Sequence, residues 1–151
     1  MKHRIVNAGI RALVIALIAV TAWAAFSPVT FPSRDVVFEI PKGTWQRRMS
    51  GDKVDILPPE IFLTLGIHDV LVLKNDDDVP QIFGPTLMMP GQSFRLPFEV
   101  ASINQFNCTA HASGQMTIVV DPNPDSPLQR IAWRTRTLYR TMKTTLSKTN
   151  P

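Results

Sequence analysis

From Asp35 onward, apolar residues recur at period two in short runs, and each run is stopped by Gly, Pro, Asn or Asp. Val36–Ile40 alternates and ends at Pro41-Lys42-Gly43, Ile61–Leu65 ends at Gly66, and Val70–Leu73 runs into Asn75 and three aspartates. Ser93–Phe98, Ile103–Phe106 and Thr117–Val120 complete the set, with Pro90-Gly91 as a turn. Alternation sends every second side chain to one face, so each run needs a second sheet to cover it. No helical period appears before residue 127. The pattern predicts an antiparallel β-sandwich, an all-β fold. Thirteen prolines against seven glycines agree with many short, punctuated strands. The stretch 47–59 reads as a long loop with a short helical turn.

The two ends differ from this body. Lys2, Arg4 and Arg11 precede 22 residues without a charge, which close at Arg34. At about 1.5 Å per residue, some twenty of these would cross a hydrocarbon core of about 30 Å. Ala22-Trp23-Ala24 also fits the small-x-small pattern of a leader cleavage site. A cleaved leader and a retained anchor are therefore both open, with length favouring the anchor. The basic residues before the segment place the N-terminus in the cytoplasm and the body outside it.

Charge is distributed unevenly. Residues 1–31 carry +3, residues 32–125 hold seven basic and twelve acidic residues for −5, and residues 126–151 carry +6 with no acid. An acidic body between basic tails is not the footprint of a nucleic-acid binder.

The chain has one cysteine, Cys108, in the stretch Phe106-Asn107-Cys108-Thr109-Ala110-His111. One cysteine cannot form an internal disulfide. Outside the cytoplasm it is a free thiol, an intermolecular partner or a metal ligand. His111 three residues on makes a metal the first reading. A Cys–His nucleophile is a weaker one, because no third residue is evident to orient the imidazole. Asp76, Asp77 and Asp78 lack the EF-hand spacing and read as a solvated turn.

Three stretches together resemble the cupredoxin family. "LGIHDVLVLKNDDDVP" is similar to the strand and ligand-loop entry, "PGQSFRLPF" to the next hairpin, and "FNCTAHASGQMTIVV" to the final ligand loop and last strand. They span much of residues 35–121 in the family's order. The resemblance implies a Greek-key β-sandwich with a copper site of two imidazoles, a thiolate and a weak axial ligand. Carried onto this chain, it makes Cys108 and His111 ligands and Met116 a candidate axial ligand. Met116 can equally begin the last strand with its side chain in the core. After Asn75-x-Asp77-x-Val79-Pro80 the family has its upstream histidine, and here the residue is Gln81. A glutamine oxygen can serve axially but replaces an equatorial imidazole poorly. His68 lies seven residues from Asn75 along the strand, roughly 20 Å away at about 3.3 Å per residue, and His3 lies in the leader. The expectation is a copper site that is degenerate, with no cofactor, and copper in an altered site as the alternative. Met88 and Met89, in the apolar stretch from Phe83 to Pro90, are candidates for partner contact or for a cover over the site.

After Asp121 the chain breaks at Pro122 and Pro124, and Ser126-Pro127 suits a helix start, with Ser as N-cap and Pro at the first helical position. At about 100° per residue, Leu128, Ile131, Ala132, Leu138, Tyr139, Met142 and Leu146 share a sector of about 120°. Arg130, Arg134, Arg136, Arg140, Lys143 and Lys148 lie off it, with Trp133 on the flank. This basic amphipathic helix has three destinations: the acidic sandwich, an anionic membrane surface, or a partner subunit. Arg130, Trp133, Arg134, Tyr139 and Arg140 are its candidate contact residues.

The sequence therefore predicts three segments: an anchor over 1–31, a cupredoxin-like domain over 32–125 and an amphipathic helix over 126–151. The expected protein is a single-pass inner-membrane protein with its domain on the periplasmic side. Its expected role is that of an accessory subunit in a respiratory or photosynthetic electron-transfer complex, not that of an enzyme. That link to electron transfer is what the resemblance implies.

Overall fold

The computed structural model describes the backbone of residues 2–52, 56–111 and 113–148, and side chains over 9–52, 56–111 and 113–143. The side chains of Leu146 and Lys148, placed above on the C-terminal helix, lie outside the described residues. The chain divides into two compact units, Thr30–Asn123 and the pair of segments Met1–Val29 and Pro124–Pro151.

The first unit is a β-sandwich. Strands β1 (Asp35–Ile40), β3 (Val70–Asn75) and β6 (Ser93–Pro97) form one sheet in the order β1-β3-β6. Strands β2 (Glu60–Thr64), β8 (Gln115–Asp121) and β7 (Ser102–Asn107) form the other in the order β2-β8-β7. Alternate residues of both sheets meet between them. Ile40, Leu71 and Leu73 come from one side, and Ile61, Leu63, Met116, Ile118 and Val120 from the other, all buried in one cluster. Phe83 sits between Phe94 and Phe106, with ring centroids at 6.0 and 5.0 Å. Loss of a ring so placed costs about 3–5 kcal/mol.

The pairing is mixed, which corrects the antiparallel expectation. β1 runs parallel to β3 and β2 parallel to β8, whereas β3–β6 and β7–β8 are antiparallel. Parallel neighbours need a long crossover, and the intervening 41–69 and 65–114 segments supply it. β3, central in its sheet, alternates the buried Leu71, Leu73 and Asn75 with the half-buried Val72 and Lys74.

Three elements were not legible as such. Residues Thr44–Met49 form a one-and-a-half-turn helix, α2, so the region after Pro41 is not simply a loop. Gln81–Phe83 (β4) and Thr86–Met88 (β5) form a two-stranded hairpin around Gly84. Gly84 has φ +54°, and a Cβ there would lie 2.9 Å from the Phe106 ring, so only glycine fits this turn.

The chain enters β1 through Arg34, whose guanidinium pairs with both oxygens of the buried Asp69. The Arg34 hydrogen bond holds the Asp69 carboxyl below the ordinary carboxylate range, and the Gly66 N–H adds to it. His68 lies at the start of β3, the end away from Asn75, with its ring 4.2 Å from Phe31.

The second unit is helical. Helix α1 (Lys2–Phe26) contains Gly9–Phe26, long and apolar enough to cross a membrane by length and composition. Helix α3 (Pro127–Lys148) starts at a reciprocal cap. The Gln129 N–H donates to Ser126 Oγ at 3.3 Å and the Ser126 N–H to Gln129 Oε1 at 3.1 Å.

Candidate metal centre

The β7–β8 ladder pairs Phe106 with Met116 and Asn107 with Gln115, and then opens into the loop that carries Cys108 and His111. The Cys108 N–H closes the loop by donating to the Gly114 carbonyl at 2.9 Å. Two successive turns fill it: the His111 N–H donates to the Cys108 carbonyl at 3.2 Å, and the Gly114 N–H to the His111 carbonyl at 3.1 Å. Gly114, at φ +74°, supplies the left-handed residue this closure needs. The sequence therefore brings thiol and imidazole together through turn chemistry, as the Cys-x-x-His spacing suggested.

Cys108 and His111 are both buried. Burial pushes the Cys108 thiol up, against a smaller downward pull from the N–H groups of Ala110 and His111 and from the Arg48 charge. The Nδ1 atom of His111 lies 2.9 Å from Ser113 Oγ. Met116 is 1% exposed and points into the core from β8. Met116 is the second residue of β8 and lies in the same buried cluster as Cys108.

Gln81 lies on β4 against this loop, with 1% of its surface exposed. Its Nε2 donates to Asp77 Oδ2 at 3.0 Å, and its Oε1 accepts the Thr109 hydroxyl at 2.6 Å. Thr109 Oγ1 in turn accepts the Ile82 N–H at 2.9 Å, and the Thr109 N–H donates to the Ile82 carbonyl at 3.1 Å. The Gly84 N–H donates to the Asn107 carbonyl at 2.8 Å, so β4 runs beside the loop as an extra pairing. The Gln81 amide spans this pairing and ties the upstream arm to Thr109, directly after Cys108.

Asp77 anchors the other end. The reading of Asp76–Asp78 as a solvated turn holds for the exposed Asp78 but is corrected for Asp77, which is buried. Its carboxylate accepts the N–H groups of Gly43 at 2.8 Å and Trp45 at 2.9 Å, at the start of α2, and that of Asp78 at 3.0 Å. Burial alone would raise its pKa. The three backbone N–H groups and the Gln81 amide outweigh that and hold it below the ordinary carboxylate value. Asn75, fully buried, shapes the run by donating to the carbonyls of Val79 at 2.9 Å and Met88 at 3.0 Å.

Arg48, on α2, reaches the same loop. Its Nη2 donates to the Ala110 carbonyl at 3.0 Å, and its charge acts on Cys108. Thr109 and Arg48 were not singled out in the sequence and Asp77 was read only as part of a turn, since each acts through a contact 28 to 62 residues away.

The donor set can be tested against a type 1 copper ion. By type, Cys108 and His111 would supply the thiolate and one of the two imidazoles, and Met116 is of the kind that serves as the weak ligand. The third place has no imidazole, and both heteroatoms of the Gln81 amide are engaged within the protein. The Gln81 oxygen, which already accepts from Thr109, would be a weak donor in place of an imidazole, and the Arg48 charge acts on the same thiol. Among the described residues no three of His, Cys, Asp and Glu are gathered to hold a metal ion. Of the type 1 donors, the described residues place one thiol and one imidazole on this loop.

The expected partner surface also changes. Met88 is 2% exposed because the β4–β5 register turns it inward opposite Gln81. Ile82, Leu87 and Met89 are the exposed apolar residues of that hairpin.

No protein-family model matches the chain, and no curated protein matches it. Among solved structures it is similar to a purple cupredoxin from Nitrosopumilus maritimus, at 18% identity and a TM-score of 0.41 over 58% of this chain and 100% of that one. It is also similar to amicyanin from Paracoccus versutus, at 19% identity and a TM-score of 0.41 over 63% of this chain and 92% of that one. The solved structures that this β-sandwich of mixed sheets resembles are thus cupredoxins.

Proposed function

We propose that this chain is a membrane-anchored accessory subunit of an electron-transfer complex, with its β-sandwich outside the cytoplasm and its copper site converted into a structural clamp. The observation that carries the reading is the Gln81 amide, held between Asp77 and Thr109 at the position of the upstream ligand. A buried polar group with both ends satisfied stabilises a loop, whereas a ligand must keep its donor atom available. The three motifs that resemble cupredoxins support a place beside redox partners. The exposed residues Ile82, Leu87 and Met89 next to the clamp supply a contact surface. The apolar span of α1, preceded by basic residues, supports a single-pass anchor with the sandwich on the outer side. The protein acts here as a binding subunit and not as an enzyme. A buried thiol with a raised pKa is a poor nucleophile.

A second reading has its own support, since Cys108 and His111 share one tight loop, Met116 follows two residues after its closure at Gly114, and two N–H groups face the sulfur. In that reading the chain is an electron carrier or a copper-delivery protein with an altered site. Solubilisation of native membranes in mild detergent separates the two. The accessory reading expects the chain to migrate with subunits that carry redox cofactors, with far less than one copper per chain. A chain that runs alone with stoichiometric copper would establish the second reading instead.

A further inference from the structure

Among the described side chains, α3 meets α1 at the end of the apolar span. The described side chains from Gly9 to Trp23 are exposed, whereas Ala25 is buried. The contact is made by Arg134, whose guanidinium donates to the carbonyls of Ala24 and Ser27, each at 2.8 Å, and of Trp23 at 3.4 Å. The same guanidinium lies 5.1 Å from the centre of the Trp23 ring. The last carbonyls of a helix have no partners of their own and carry partial negative charge, so a cation there completes the terminus. In an anchor this terminus is where the chain leaves the hydrocarbon, and Trp23 has the aromatic character of that level. Arg134 therefore fixes α3 at the interface between lipid and water.

The remainder of α3 suits that position. Leu128, Leu138, Tyr139 and Met142 are 79, 65, 69 and 63% exposed. They share the apolar sector, with Arg136, Arg140 and Lys143 along one border and Arg134 along the other. No acidic residue occurs beyond Asp125. An apolar strip edged by cations is the pattern of a helix lying in the headgroup layer of an anionic bilayer.

We infer that α3 is a second membrane element, lying flat on the anionic bilayer that α1 crosses, with Leu138, Tyr139 and Met142 at the acyl boundary. The inference rests on the reading of α1 as an anchor. Its consequence is that the chain is held at the membrane at two points, which restricts how far α3 can swing about the α1 terminus.

The test uses the full chain in vesicles of phosphatidylcholine and phosphatidylglycerol at about 7:3, an anionic surface. A nitroxide is attached in turn to Met142→Cys, in the apolar sector, and to Thr137→Cys, on the opposite face. The wild-type chain serves as control for the buried Cys108. Oxygen and a water-soluble nickel complex then report depth. The expected result is a several-fold lower nickel accessibility and higher oxygen accessibility at 142 than at 137. That contrast should shrink in pure phosphatidylcholine or at about 0.5 M salt, where headgroup attraction is screened. Equal exposure of both positions to nickel in the anionic vesicles would overturn the proposal. Protection of position 142 from nickel without a gain in oxygen accessibility would overturn it too, because a protein would then cover the strip. Flotation of the same vesicles after an alkaline wash reports on α1 separately. A chain that stays bound with position 142 in water refutes only the placement of α3, whereas a chain that washes off refutes the anchor and with it the placement.

Discussion

The Thr109 hydroxyl donates to Gln81 Oε1 at 2.6 Å, so the Gln81 amide is bonded to the loop that carries Cys108 and His111. The bond ties β4 to the residue directly after Cys108.

Thr109→Val removes this donor and also the acceptor of the Ile82 N–H, while keeping the volume. The expected loss is about 1–2 kcal/mol, read as a lower urea midpoint of the full chain in detergent, with Thr109→Ser near wild type. Equal midpoints for the Val variant and the wild type would show that the clamp does not hold the loop.

Acid should destabilise the sandwich through Asp77 and Asp69. Both carboxyls titrate below their ordinary value when folded, so the unfolded chain takes up protons first as the pH falls. The stabilisation is complete above about pH 4 and is lost as pH falls further through the folded values. Asp77→Asn should lower stability at neutral pH by about 2–3 kcal/mol, since it weakens hydrogen bonds to a charged acceptor, and should flatten the acid decline. Thermal unfolding from pH 7 to pH 3 checks both. An unchanged acid slope in the variant would assign the decline to other groups.

Cys108 should be inert in the folded chain. Burial raises its pKa and shields the sulfur, so iodoacetamide at mildly alkaline pH should modify it many times more slowly than in urea. Modification of the folded chain at the unfolded rate would place the thiol at the surface.

Much of the sandwich was legible because alternation is a local signal, and the six longer strands follow it. What was not legible depends on partners. Alternation does not say whether β1 meets β3 in parallel, and three-residue strands such as β4 and β5 are too short to show a period. Helix α2 has six residues, too few to be stable alone, and its N-terminus is held by Asp77 from 32 residues away. The same limit explains Met88, whose inward direction is set by pairing with Gln81. At the site, Cys108, His111, Gln81 and Met116 were named from the sequence. The polar atoms that decide their chemistry, on Thr109, Asp77 and Arg48, were not.

The most direct test of the clamp is copper titration of the full chain in detergent, followed by visible absorption and electron paramagnetic resonance, with Gln81→His measured beside it. The expected result is no thiolate-to-copper charge-transfer band in the natural chain, and a band in the histidine variant, where a second imidazole joins Cys108 and His111. A strong band from the natural chain at one equivalent of copper, abolished by Cys108→Ser, would rule out the clamp and make Cys108 a working copper ligand.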